Sequence, residues 1–139
     1  TFNNFTLADG RLPLGQMRRK LNLVTNYDFS EGALKGFTVG GALRYSGRPV
    51  IGYTAKGTPT AIVRSVFYGS EQVFIDVNAA YRRKIQLVGK SIMWSLQTNI
   101  NNALNNDAFV RLQLATDGTL VNYRFNPPLE WVITSRFSY

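Results

Sequence analysis

A chain makes or breaks covalent bonds only with the side chains it has, and this one has neither cysteine nor histidine. A Ser-His-Asp triad, a Cys nucleophile and a Cys/His zinc site are all out of reach. The 8 carboxylates are dispersed. The nearest pairs, Asp28 with Glu31 and Glu71 with Asp76, have plain structural readings. Residues 47–54 (GRPVIGYT) have the spacing of a phosphate-binding loop, but Tyr53 stands where the essential Lys belongs and no helix is expected after it. No catalytic residue, metal ligand or cofactor is assigned, and an enzyme is not expected. What remains is the chemistry of binding. Tyr53, Arg64, Tyr68, Arg111, Tyr123 and Arg124 offer ring faces and guanidiniums, the groups that hold anionic chelates or stack on sugars. Ordinary loop chemistry is the alternative reading of the same six. Lys and Arg outnumber Asp and Glu by 16 to 8, a net charge of +8, which raises nucleic acid and anionic lipid as partners. The basic residues are scattered, however, and cluster only at Arg18-Arg19-Lys20 and Arg82-Arg83-Lys84.

The elements that carry these residues alternate with period two. In residues 131–139 (WVITSRFSY), Trp131, Ile133, Ser135, Phe137 and Tyr139 point one way, while Val132, Thr134, Arg136 and Ser138 point the other. The same alternation runs through residues 17–30, 37–48 and 72–83. Residues 92–104 fit a strand, with Ile92, Trp94, Leu96 and Ile100 on one face. A helix would also align Ile92, Leu96, Ile100 and Leu104, but it would put Trp94 on the polar side and include three asparagines. The connections alternate short and long: 31–36, 47–71, 84–90 and 105–130. Within 47–71, residues 61–67 read as an extension of neighbouring strands, and 105–130 holds a hairpin turning at Asp117-Gly118.

No run of about 18 apolar residues exists, so no conventional membrane helix is expected. Strands of roughly 9–13 residues, by contrast, approach the length that a tilted strand needs to cross a bilayer. Tyr27, Phe29, Phe37, Tyr81 and Trp94 gather beside the short turns, with Phe137 and Tyr139, as one girdle of an aromatic belt. The expected fold is all-β: part of an antiparallel transmembrane β-barrel, with about five long strands, short periplasmic turns and long extracellular loops. Its polar face, with Asn26, Asp76, Asn99 and Arg136, would meet a lumen. A lectin-like soluble β-sandwich and a basic β-sheet that binds RNA share the alternation. The first would be soluble without detergent, and the second would bind oligonucleotides in a salt-sensitive way.

Three stretches carry a resemblance: residues 22–44 (NLVTNYDFSEGALKGFTVGGALR), 95–106 (SLQTNINNALNN) and the terminal WVITSRFSY. Together they resemble the C-terminal end of TonB-dependent outer-membrane receptors. In that family a Y-x-F strand end, an acidic-Gly to Lys-Gly turn and a glycine-bearing strand follow one another. An N-x-N-N-Leu-x-Asp motif then precedes the last loop. Here Ala103 is an extra residue in that motif, and Tyr139 stands where the family most often ends in Phe.

The resemblance implies that residues 1–139 are the C-terminal part of a barrel of about 22 strands. The chain begins at Thr1 with no secretory signal, and is read as part of a longer protein. It further implies uptake of a bulky nutrient (a siderophore, cobalamin or an oligosaccharide) across the bacterial outer membrane. The implied partners are outer-membrane lipid and lipopolysaccharide, the receptor's own plug domain, TonB acting through an absent N-terminal segment, and the barrel-assembly machinery, with no nucleic acid. Trp131, Ile133, Phe137 and Tyr139 would form the terminal assembly-signal strand, and plain interfacial anchoring is the alternative at the same position. Arg18, Arg19 and Lys20 would reach lipopolysaccharide phosphates.

Overall fold

A computed structural model of the chain describes residues 11–58 and 61–139. Among these the structure is all-β and antiparallel, without an α-helix. In chain order the strands are β1 (Lys20–Asp28), β2 (Phe37–Ser46), β3 (Val50–Thr58), β4 (Ala61–Tyr68), β5 (Gln72–Leu87), β6 (Lys90–Asn101), β7 (Phe109–Leu114), β8 (Leu120–Phe125) and β9 (Glu130–Ser138). Five of them form one sheet in the order β1-β2-β5-β6-β9, which is not closed into a barrel. The sheet is a meander: each strand pairs with the next one along the chain that belongs to it. Two further hairpins, β3-β4 and β7-β8, are inserted into the connections β2–β5 and β6–β9.

The second short connection is tighter than the sequence suggests, whereas the first runs from 29 to 36, two residues longer than expected. Strand β5 runs on through Arg82-Arg83-Lys84 to Leu87, and Leu87 pairs directly with Lys90. Only Val88 and Gly89 turn the chain, at φ 50 and 75, the two left-handed residues of a type I′ hairpin whose twist matches the strands. The other short connection holds a 3-10 turn, Gly32–Leu34, and ends at Gly36. That glycine sits at φ +92, and a Cβ there would lie 2.5 Å from the Arg82 carbonyl oxygen, so the position tolerates no side chain. Strand β6 stops at Asn101, short of the expected residue 104, because Asn102 turns to φ 50. Residues 47–71 are not an irregular loop. They contain β3, which pairs with residues 61–68 instead of leaving those to extend a neighbouring strand. The hairpin expected in 105–130 is present as β7-β8, with Asp117-Gly118 at its turn.

The chain divides into two compact units. Among the described residues, one comprises 11–21, 45–58, 61–73 and 107–126, and has an interior: Val50, Ile51, Tyr53, Val110 and Leu114 are buried. Strand β7 comes so close to β3 that a Cβ on Gly52 would lie 2.9 Å from the Leu114 carbonyl oxygen. The other comprises residues 22–44, 74–106 and 127–139, and its single buried residue among those described is Asn102.

Candidate functional site

Residues directly opposite on neighbouring strands share a face of the sheet, so register alone sorts the side chains of the sheet unit. Strand β6 pairs Trp94 with Arg83 and Phe137, Leu96 with Tyr81 and Ser135, Thr98 with Ala79 and Ile133, and Ile100 with Val77 and Trp131. The intervening positions pair Ser95 with Arg82 and Arg136, Gln97 with Ala80 and Thr134, and Asn99 with Asn78 and Val132. One face is thus mainly aliphatic and aromatic, the other mainly amide, hydroxyl and charge.

The girdle residues come together on the apolar face. Phe37 and Tyr81 have ring centroids 4.5 Å apart, Tyr81 and Trp94 are 6.1 Å apart, and Tyr27 and Phe29 are 4.8 Å apart. Phe137 lies opposite Trp94, whose indole N–H donates to Ser135 Oγ at 3.0 Å. These aromatics line the end of the sheet that carries the two short connections. Trp131, opposite Ile100, stands near the other end, and Tyr139 lies just past β9. Trp131, Ile133 and Phe137 are all more than half exposed.

On the polar face the groups satisfy one another. Arg44 pairs with Asp76 at 2.8 Å, and the Thr38 hydroxyl donates to Asp28. A Cβ on Gly40 would fall 1.9 Å from Asn26 Oδ1 and 2.5 Å from Asn78 Oδ1, so these two amides close over a residue that has no side chain. Gln97 donates to Asn99 at 3.0 Å. The asparagine run after β6 is a lock. The Asn102 backbone N–H donates to Asp76 Oδ1 at 2.9 Å, and its side-chain amide donates to the carbonyls of Pro127 at 2.7 Å and Asn106 at 3.2 Å. Asn102 Oδ1 in turn accepts from the Asn106 N–H at 3.0 Å. Asn105, also at φ 50, accepts from the Leu129 N–H at 3.0 Å. Asparagine is one of the few residues that tolerate left-handed backbone, which is why a cluster of them marks this exit from the strand.

The six ligand candidates separate. Tyr53 is fully buried and donates its hydroxyl to the Leu12 carbonyl, a structural role. The Arg64 side chain lies outside the described residues. Tyr68 and Arg111 share the wall of an open concavity of about 660 Å³, together with Arg48, Ser70, Glu71 and Phe109. Tyr123 is opposite Arg111 and Phe125 is opposite Phe109, so these four lie on one face of the β7-β8 hairpin. Arg124, opposite the buried Val110, lies on the other. Arg48, Phe109 and Phe125 were not singled out by sequence reasoning. The Asp117-Gly118 turn and the alternation on both sides of it were the signal that could have aligned 109 with 125. The first basic triplet is divided: Lys20 opens β1, whereas Arg18 lines a second concavity, of about 490 Å³, with Tyr53 and Tyr68. In the second triplet, Arg83 falls on the apolar face beside Trp94, and Arg82 and Lys84 on the polar one.

Among the described residues no group of three or more acidic, Cys or His side chains could hold a metal ion. No protein-family model, no curated protein and no solved structure matches the chain.

Proposed function

We propose that this chain is the C-terminal portion of the barrel of a TonB-dependent outer-membrane receptor, and that the sheet β1-β2-β5-β6-β9 crosses the outer membrane. The observation that carries the reading is the sidedness of that sheet. Leu21, Leu23, Val39, Ile133 and Phe137 are exposed, and contiguous exposed apolar surface calls for another protein or a lipid to cover it. The meander supports it too, with tight connections at one end and hairpin-bearing ones at the other, as barrels have on their periplasmic and external sides. Aromatics at the tight-turn end suit a headgroup interface. The apolar face then meets hydrocarbon, and the amide-rich face meets a plug domain or water. Strand β9 carries a free edge, the form that strand addition by an assembly machinery requires. TonB would act through a segment outside this chain, and Lys20 with its neighbours would meet lipopolysaccharide. In this role the receptor takes up a bulky nutrient bound at the external hairpins.

Fractionation of cells expressing the full-length protein tests this. The protein should stay in the outer membrane through urea and alkaline carbonate, dissolve in detergent, and shift in electrophoretic mobility only after boiling. Release by urea, or cooperative unfolding of the 139 residues as a monomer in plain buffer, would contradict it.

A further inference from the structure

The exposed face of the β7-β8 hairpin combines two features that a solvated turn does not need together. The first is a platform of rings. Phe109 lies 5.2 Å from Tyr123 and 5.5 Å from Phe125, and Tyr123 lies 6.1 Å from Phe125. The three are 41%, 54% and 66% exposed. Cross-strand ring pairs stabilise a hairpin, but that gain does not require open ring faces. The second feature is cationic. Arg111 stands opposite Tyr123 on the same face, and no hydrogen bond or ion pair engages it among the described residues. Arg48 lines the same concavity, held by the Gly69 carbonyl at 3.4 Å and set 5.9 Å from the Tyr68 ring centroid. The one carboxylate there, Glu71, accepts from the Tyr45 hydroxyl at 3.2 Å. Two arginines and one carboxylate therefore line the concavity, beside exposed rings. A volume of about 660 Å³ lies within the range of roughly 300–1,000 Å³ typical of small-molecule sites.

We infer that Arg111, Arg48, Tyr68 and the Phe109-Tyr123-Phe125 platform bind a ring-bearing oxyanion: a ligand that lays a flat ring face on the aromatics and points a carboxylate at the guanidiniums. Planar guanidinium forks match a carboxylate, and exposed rings take up the apolar face of a sugar or an aryl group. The inference deepens the receptor reading and rests on it for its biological sense, since it names what the external hairpins would capture. The binding chemistry itself does not depend on a membrane.

The shared chemistry has two natural sources, an acidic saccharide and an aryl carboxylate, and the test separates them. Full-length protein in detergent is titrated by calorimetry with an oligogalacturonate and with 4-hydroxybenzoate, each beside its methyl ester. At least one acid should bind about tenfold or more tightly than its ester, and Arg111→Gln should remove that preference. Tyr123→Ala should weaken acid and ester alike, because it removes stacking and not charge. Arg136→Gln, on β9, should leave binding unchanged. Equal binding of acid and ester, binding of neither acid, or an unchanged preference in a folded Arg111→Gln protein would overturn the inference. The fractionation result reports separately. A membrane-embedded protein that ignores both acids loses this site and keeps the receptor reading. A soluble protein that prefers an acid does the reverse.

Discussion

Val50 and Ile51 are 1% and 2% exposed, whereas Ile133 and Trp131, equally apolar, are 56% and 65% exposed. The first pair belongs to the hairpin unit and the second to the sheet unit. The hairpin unit solves the usual problem of a water-soluble fold: its apolar side chains have an inside to go to. The sheet unit has two chemically distinct sides and no interior. Alternation of residue types in a sequence is common to both solutions, so alternation alone does not distinguish a core from a membrane face. What distinguishes them is whether the apolar side ends up covered by the chain itself.

Substitutions matched across the two units sharpen this contrast. The largest expected effect is in the hairpin unit. Ile51→Ala removes a fully buried side chain and should cost about 2–5 kcal/mol, read as faster native-state proteolysis of that unit in the full-length protein. Ile133→Ala should leave that cleavage unchanged. Next comes a charge on the sheet. Ile133→Arg should cost about 2–4 kcal/mol if the site meets mid-bilayer hydrocarbon, measured by unfolding in lipid vesicles. Thr134→Arg, one residue on and on the polar face, should stay within about 0.5 kcal/mol of the unaltered protein. Equal costs at 133 and 134 would erase the distinction between the two faces.

Smaller effects belong to the turns. Val88 is a β-branched residue at φ 50 and is 96% exposed, so its side chain contributes strain and no packing. Val88→Asn should stabilise the β5-β6 hairpin by about 1 kcal/mol, seen as a higher midpoint of thermal unfolding. The smallest effect is at Asp117, which accepts from the Thr119 N–H at 2.8 Å. That backbone bond, helped by the Thr119 hydroxyl, holds its pKa below the ordinary aspartate value. A lowered pKa in the folded state means the contribution is present above the unfolded value and is lost as pH falls through the folded one. Amide exchange in β7-β8 should therefore quicken in acid, and Asp117→Asn should abolish that step.

Much of the sheet was legible because the long strands mostly keep one chemistry per side. Residues 131–139 show this directly, residues 72–83 show it apart from Phe74 and Arg83, and the Asp117-Gly118 pair announced its hairpin. Strand β3 was not legible. Pro49, Gly52, Gly57 and Pro59 read as breakers, yet Gly52 is there because β7 approaches too closely for a side chain, a tertiary reason that leaves no local trace. Residues 84–90 read as a turn, although β5 continues to Leu87, since an exposed strand end carries charge without cost. Asn102 falls within the strand expected over 92–104. Its turn out of the strand goes with a bond to Asn106, four residues on, and with one to Pro127, whose approach leaves no local trace. The ligand candidates fared likewise: Tyr53 reads as a loop residue, and only packing decides that it is interior and that Arg111 lies beside three rings.

Residues 1–139 contain no cysteine, and with any cysteine elsewhere in the full-length protein replaced, the sidedness of β9 is directly measurable. Single cysteines placed at each of positions 131–138 in the full-length protein, in native outer membranes, can be spin-labelled and probed for collision with oxygen and with a water-soluble nickel chelate. The expected record alternates: labels at 131, 133, 135 and 137 favour oxygen, as in hydrocarbon, and labels at 132, 134, 136 and 138 favour the chelate or are shielded from both. Labels on both faces open to the chelate, or an odd-numbered set buried from both probes, would contradict the membrane-spanning account.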